Sequence, residues 1–210
     1  MAESEYTPRD LAVYLVVFSA FYILFQSAPS RWAELLTAQT SSSVMNLAGL
    51  ESSYGVEYGI VYLDLASGLR NVHVYVIREC SAIHVLGVIL GLVVPLRGAS
   101  LRRKAGAAVF GGFMIYALNI LRVVLTVVLT GYDLPPFSWF FTSPTVETYH
   151  YPISFLFGVF GIAVTVLSMD RVFVPKLGDF LGSVPDVLRG FLGFNRVSST
   201  IVEPRVDEDR

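Results

Sequence analysis

The sequence predicts an all-α integral membrane protein, a helical bundle of about four or more transmembrane helices with a small external segment that contains a β-hairpin. Of its 210 residues, 54% are hydrophobic and 15% are charged, and the mean hydropathy is +0.61. Four windows, at about 11–28, 81–96, 105–130 and 152–169, are apolar enough to cross a hydrocarbon core of about 30 Å. A soluble helical protein with buried helices is the alternative. The net charge of −2 argues against a nucleic-acid partner.

The charges around the first window and between the windows predict the orientation. The leader MAESEYTPRD is more acidic than basic, so we expect an anchor helix rather than a cleaved signal peptide. Four basic residues fall within 97–104, and short basic loops stay in the cytoplasm. The loop 132–149 holds two acidic residues and no Lys or Arg. We therefore expect both termini in the cytoplasm and the segments 29–79 and 132–151 outside.

The external segment 29–79 divides into two parts. Its first part has helical spacing of apolar residues, which we expect to break at the serine run 41–43. Its second part alternates Val72, Val74 and Val76 with polar residues after the turn-like "ASG", a pattern typical of a hairpin strand. At the other end of the chain, we expect residues 172–210 to form a cytoplasmic tail. Part of this tail would be an interfacial stretch that is interrupted at Pro185, and its end would be disordered.

Polar residues inside the third window predict a functional face. Arg122 lies about eight residues from the outer end of that window, a depth of roughly 12 Å at 1.5 Å per residue. At 100° per residue, Asn119, Thr126 and Thr130 share its face. Charged side chains within a bilayer are costly and commonly functional. Arg122 could also snorkel outward and only fix the helix.

Two other windows place a reactive side chain at their outer ends. Cys80, the only cysteine, shares a helical face with His84 and two glycines, and His150 shares one with Ser154 and further small residues. Small residues favour close packing of membrane helices. If the three faces pack inward, Cys80, Arg122 and His150 converge at the outer interface. Taken singly, the cysteine could be an apolar filler and the histidine a solvated loop residue, and no metal-ligand spacing is present.

Such a cluster would support acyl transfer. A thiolate attacks a peptide carbonyl and forms a thioester, which a second nucleophile resolves. A guanidinium such as that of Arg122 lowers a thiol pKa and stabilises an oxyanion, whereas burial raises the thiol pKa. A histidine such as His150 can take the thiol proton and return it to the leaving amine.

Three blocks resemble the exosortase/archaeosortase family of membrane cysteine transpeptidases. They are "RECSAIHVLGVILGLVVPLRGASLRRK", "YALNILRVVLTVVLTGY" and "ETYHYPISFLFG", within a matching core of about 75–161. The family motifs are a Cys at the outer start of one helix, an Arg within "LNxxR" on the next and a His or Arg opening the helix after that. They fall on Cys80, Arg122 and His150. Residue 82 is Ala where the family more often has Gly, a departure that we expect to be harmless.

The resemblance implies a sortase-like enzyme without a cofactor. Its partners would be exported proteins with a C-terminal motif, a transmembrane helix and a basic cluster, and a membrane lipid would be the acceptor. Residues 1–171 would then form a transmembrane catalytic domain, and both termini would be cytoplasmic. We expect Asn119, His84, Thr126 and Glu79 to bind substrate or support the site. A non-catalytic membrane scaffold and a small-molecule transporter or channel subunit are the alternatives.

Overall fold

The computed structural model describes residues 7–135, 139–140 and 144–191. Helices and strands follow in the order α1 (Pro8–Ser27), α2 (Arg31–Leu47), β1 (Ser52–Glu57), β2 (Ile60–Leu65), β3 (Val72–Tyr75), a 3₁₀ turn (Arg78–Cys80), α3 (Ile83–Val93), α4 (Leu101–Tyr132), α5 (Val146–Val172) and α6 (Lys176–Phe191). The predicted disordered end of the tail, residues 192–210, lies outside the described residues.

Three of these helices are long and apolar enough to cross a membrane, namely α1, α4 and α5. Their outward surfaces carry large exposed apolar side chains such as Phe113, Phe155 and Phe160. Exposed apolar surface of this extent is unfavourable in water and suited to lipid. The chain is therefore a mostly helical membrane protein with a small three-stranded sheet.

The second predicted window forms a shorter helix than expected. Helix α3 has 11 residues, which corresponds to a length of about 16 Å, well short of a full span. It ends before Pro95, because a proline disfavours helical backbone in the residue before it and has no N–H to donate. The expectation of four or more transmembrane helices is thus not confirmed within the described residues, which contain three candidate spans and this short helix.

Helix α3 packs tightly along α1. A Cβ added at Gly87 would lie 2.8 Å from the Cβ of Phe25, and one at Gly91 would lie 2.9 Å from a ring carbon of Phe18. The Tyr14 hydroxyl of α1 donates to the carbonyl of Leu92 at 2.6 Å. The two glycines therefore serve contact with α1.

The segment 29–79 contains one helix and the whole sheet. The predicted break at the serine run is wrong, because α2 continues to Leu47. Ser41 and Ser42 are buried, and the Ser43 hydroxyl donates to the Gln39 carbonyl at 2.9 Å. Small side chains that pack inward, or that bond to the preceding turn, can remain within a helix.

The predicted hairpin is present as β2 and β3, which pair antiparallel with Tyr62 opposite Tyr75. An additional strand, β1, pairs with the other side of β2. Tyr58 and Gly59 connect β1 to β2, and both have positive φ, 48° and 81°. Two consecutive residues of this kind make the tight hairpin turn that suits twisted strands.

The sheet is seated on the end of α4. A Cβ at Gly68 would lie 2.6 Å from the carbonyl oxygen of Gly131, so the strand connection and the helix meet backbone to backbone. Arg70 donates from its backbone N–H to that same carbonyl at 3.1 Å and pairs with Asp133 at 2.9 Å. Val123 and Val127 of α4 join the core beneath the sheet. The helix therefore extends well past Arg122 along an extramembrane layer.

This packing revises the depth of Arg122. The value of roughly 12 Å assumed that α4 ends at the membrane surface. Open sheet edges do not occur in hydrocarbon, so the part of α4 that carries the sheet must lie outside the lipid. Arg122 is at the start of that part, so we expect it closer to the interface than roughly 12 Å.

Helix α6 follows α5 and returns to α1. The predicted interruption at Pro185 is wrong, because the helix runs through that residue. Phe180 stacks on Tyr14 with ring centroids 4.0 Å apart, and Leu177 and Val187 are buried in the same core. Burial of this apolar face offsets the cost of a proline inside a helix, about 3 kcal/mol.

Candidate active site

Cys80 lies in a 3₁₀ turn that joins the sheet to α3. The turn spans Arg78–Cys80, and the Cys80 N–H donates to the Ile77 carbonyl at 2.8 Å. The prediction that Cys80 occupies the first turn of a helix is therefore wrong. Helix α3 starts three residues later, at Ile83, so the thiol is positioned by a turn and not by a helix face.

Ala82 separates this turn from α3 in a left-handed conformation, with φ 55° and ψ 12°. This region disfavours residues with a Cβ by about 1 kcal/mol or more, whereas glycine adopts it freely. The expectation that Ala is harmless here, where the resemblance favours Gly, does not fit this backbone. The sharp change of direction at residue 82 is what turns the chain from the Cys80 turn into α3.

All three residues of the Cys80 turn are held by hydrogen bonds to neighbouring helices. Asn119 donates from Nδ2 to the Cys80 carbonyl at 2.6 Å, and Arg122 donates from Nη2 to the Glu79 carbonyl at 3.3 Å. On the other side, Arg78 donates to the Ala28 carbonyl at 2.7 Å and to the carbonyl of Gln26. The turn is thus clamped between α4 and the carboxyl end of α1, where a cation also complements the helix dipole.

Cys80, Arg122 and His150 line one cavity of about 70 Å³. They come from the 3₁₀ turn, α4 and α5, which are separated along the chain, so the fold itself brings them together. The remaining walls come from β3 and its continuation, α4 and the first turn of α5: Val74, Tyr75, Val76, Val123, Thr126, Val127 and Val146. The predicted convergence of the three side chains is a feature of this structure.

Arg122 also borders a second cavity of about 70 Å³ between α3, α4 and α5, where Asn119 and Ser154 contribute the other polar side chains. Its Nε is buried and has no hydrogen-bond partner among the described residues. A buried unpaired donor costs about 1–3 kcal/mol. An incoming carbonyl oxygen that accepted this bond would remove that cost.

The polar face predicted on α4 has the expected orientation. Asn119, Thr126 and Thr130 are all buried. The Thr126 hydroxyl donates to the carbonyl of Arg122 at 2.9 Å, which supports the helix at the point where the guanidinium leaves it.

His150 belongs to α5, as its predicted helical face with Ser154 requires, and not to the loop of the alternative interpretation. The helix starts earlier because Thr145 and Thr148 form a reciprocal capping box at its N-terminus. His150 Nε2 and Ser154 Oγ lie 3.3 Å apart, one turn along the helix. This contact orients the imidazole toward the side of α5 that faces the cavity.

The surroundings of the thiol act on its pKa in opposite directions. Burial raises the pKa of Cys80 above its ordinary value, and the positive charge of Arg122 lowers it by a smaller amount, so that the pKa is raised overall. At neutral pH the resting form is therefore the neutral thiol. A reaction at this site needs a base that removes the proton during attack.

The other two residues expected to support the site are placed less directly. Glu79 is exposed, and its carbonyl, not its carboxylate, contacts Arg122. His84 is half-buried in the first turn of α3 and does not line either cavity that borders Arg122. Their functional roles remain predictions.

Sequence reasoning missed Arg78, Ala82 and strand β3 as parts of the site. Arg78 precedes Cys80 by two residues, and an arginine between a strand and a helix was an available signal for a helix-capping role. Two further features depend on tertiary packing and cannot be predicted from a local sequence pattern. They are the left-handed backbone at Ala82 and the position of β3 beside the cavity.

Comparison with known protein families gives a match over most of the chain. The family model described as transmembrane exosortase matches residues 8–168, from the start of α1 almost to the end of α5. This range includes every residue that lines the two cavities. No curated protein and no solved structure matches the chain significantly.

Proposed function

The chain belongs to the transmembrane exosortase family, and we propose that it is a membrane-embedded cysteine transpeptidase. In this proposal it cleaves the C-terminal sorting signal of exported proteins and transfers the new C-terminus to a membrane lipid or another surface acceptor. The observation that carries the proposal is the single cavity lined by Cys80, Arg122 and His150. A nucleophile, a donor for an oxyanion and a base are the groups that acyl transfer requires.

The first half-reaction forms a thioester. His150 takes the proton of the Cys80 thiol as Sγ attacks the scissile carbonyl carbon. The carbonyl oxygen becomes an oxyanion, which Arg122 stabilises through N–H groups such as the unpaired Nε. The C–N bond then breaks, and His150 returns the proton to the departing amine.

The second half-reaction releases the product. The acceptor hydroxyl or amine gives its proton to His150 and attacks the thioester carbonyl. The C–S bond breaks, and the Cys80 sulfur recovers the proton. The clamp from Asn119 to the Cys80 carbonyl holds the sulfur in place over both steps, which is how positioned groups lower the barrier of bimolecular reactions.

The location of the site suits such a substrate. A protein anchored by its own C-terminal helix presents the peptide just outside that helix at the membrane interface. Cys80 lies where the extramembrane sheet meets the membrane helices, so the two would share a depth. With the basic segment 97–104 in the cytoplasm, this interface is the outer one and both termini are cytoplasmic. This topology requires the stretch from Cys80 to Arg97, which contains the short α3, to cross the membrane in addition to α1, α4 and α5.

A tagged reporter tests the proposal. It carries the C-terminal signal of an exported protein from the same genome: a short motif, an apolar span and a basic cluster. Coexpression with the wild-type enzyme should shorten the reporter, and Cys80→Ala should leave it full-length in the membrane. Cys80→Ser should be nearly as inactive, because a hydroxyl is far less acidic than a thiol.

Ser53→Ala, an exposed change on β1, serves as a control for expression and should process normally. Processing of the reporter by Cys80→Ala at the wild-type rate would remove the thiol from the mechanism. Such a result would favour a non-catalytic scaffold or a transporter over a transpeptidase.

A further inference from the structure

The outer edge of strand β3 is not paired with any described strand. The sheet order is β1-β2-β3, so β3 pairs on one side only. The Val76 N–H donates to the Val61 carbonyl at 2.8 Å, and hydrogen-bonded residues alternate along an antiparallel pair. The backbone N–H and C=O groups of His73 and Tyr75 therefore point away from β2.

This edge lacks two of the usual features that prevent pairing with another chain. Natural edge strands are commonly protected by lysine, proline or a bulge. The segment from Asn71 to Ile77 contains no lysine and no proline. The His73 side chain is engaged within the sheet, where its Nδ1 lies 2.5 Å from Asp64 Oδ1. The backbone groups of the edge thus remain available.

Strand β3 also forms a wall of the Cys80 cavity. Val74, Tyr75 and the following Val76 line it together with Val146 and His150 of α5. The chain that leaves β3 leads directly into the 3₁₀ turn with the thiol. A peptide that lies along this strand is therefore guided toward the nucleophile.

We propose that the extended segment of the substrate on the N-terminal side of the scissile bond pairs with the free edge of β3 as a fourth strand. This inference rests on the proposed function, since it names how that substrate is held. Edge pairing recognises backbone and tolerates varied side chains. Near the lipid boundary it also supplies partners to substrate N–H and C=O groups that would otherwise lose them.

A proline in the edge strand tests the pairing in the intact enzyme. His73→Pro removes an outward N–H and keeps the bonds to β2, and the extended backbone required before a proline suits Val72 in its strand. The KM for the tagged reporter should rise about three- to tenfold, the effect of one net hydrogen bond. His73→Ala, which keeps the N–H, should leave KM within about twofold.

Val56→Pro provides the matched control. The register set by the Ala66 N–H to the Glu51 carbonyl directs the Val56 N–H away from β2 at the opposite edge of the sheet. This change should leave KM unaltered. An equal rise in KM for Val56→Pro and His73→Pro would contradict edge pairing and indicate general damage to the sheet.

Hydrogen exchange provides a measurement that needs no strand variant. In Cys80→Ala enzyme reconstituted in nanodiscs, addition of the full-length reporter should slow exchange at His73 and Tyr75 but not at Val56. Suppose that the wild-type enzyme cleaves the reporter but that the bound reporter leaves exchange at both β3 residues unchanged. That result would overturn the inference and leave the proposed function standing. A reporter that the wild-type enzyme neither binds nor cleaves would contradict the proposed function, and this inference with it.

Discussion

Replacement of Arg122 by lysine should severely impair the enzyme although the charge is kept. The guanidinium bonds the Glu79 carbonyl through Nη2 and keeps a buried Nε with no partner among the described residues. An ammonium is a single compact donor group and cannot reproduce both arms of this fixed fork. Loss of one oxyanion donor typically lowers kcat by 10²–10³-fold, or about 2.7–4 kcal/mol. We therefore expect kcat of Arg122→Lys to fall by about 10²-fold with a small change in KM.

A second variant separates charge from geometry. Arg122 lowers the pKa of Cys80 against the larger effect of burial, so Arg122→Gln should raise that pKa further. The pH at which Cys80 is half-alkylated by a neutral thiol reagent should then move upward. Arg122→Lys should shift it less, because the positive charge is retained.

Initial rates on the reporter in nanodiscs measure the first effect, and the pH dependence of alkylation measures the second. Arg103→Lys makes the same chemical change in the exposed start of α4 and should behave as wild type. A kcat for Arg122→Lys within about threefold of wild type would refute the oxyanion role. An alkylation profile that Arg122→Gln leaves in place would refute the electrostatic one.

Three further outcomes are expected. Asn119→Leu removes the donor to the Cys80 carbonyl. It should lower kcat about tenfold or more although the protein is still inserted in the membrane. An unchanged kcat would show that the clamp is dispensable. Ala82→Gly relieves the left-handed backbone and should raise the thermal midpoint by a few degrees, since the relief of strain is about 1 kcal/mol; a lower midpoint would contradict the strain. Finally, a single cysteine at Ser53 in a Cys80→Ala background should react with an impermeant reagent on intact cells, and one at Ser100 should not. The opposite labelling would reverse the topology.

The main helices and the hairpin could be predicted because their signals are local. Apolar windows report α1, α4 and α5, and the alternation in β3 reports a strand. The polar face of α4 was predictable from helical geometry, because Asn119, Arg122 and Thr126 are spaced by three and four residues. The motifs at Cys80, Arg122 and His150 carried the resemblance to a family. The family match over residues 8–168 confirms that resemblance.

The remaining features depend on contacts that are distant in sequence. The start of α3 at Ile83 follows from a left-handed residue at Ala82, whose conformation no spacing of apolar residues reveals. Helix α2 continues through its serines because Ser41 and Ser42 pack into the core. The expected depth of Arg122 changes because Gly68 and Gly131 allow the sheet to cover the end of α4. Each of these errors concerns packing between the external segment and the membrane helices.

A covalent adduct between the reporter and Cys80 tests the central claim most directly. Reporter and wild-type enzyme are mixed and quenched in acid at short times, and the enzyme is analysed by mass spectrometry. The account predicts that the peptide containing Cys80 gains the mass of the reporter's N-terminal fragment through a thioester. Hydroxylamine should remove that mass and leave a hydroxamate at the new C-terminus of the fragment. Cleavage of the reporter at the wild-type rate with no adduct at any time, and with no hydroxamate in the product, would contradict the thioester mechanism.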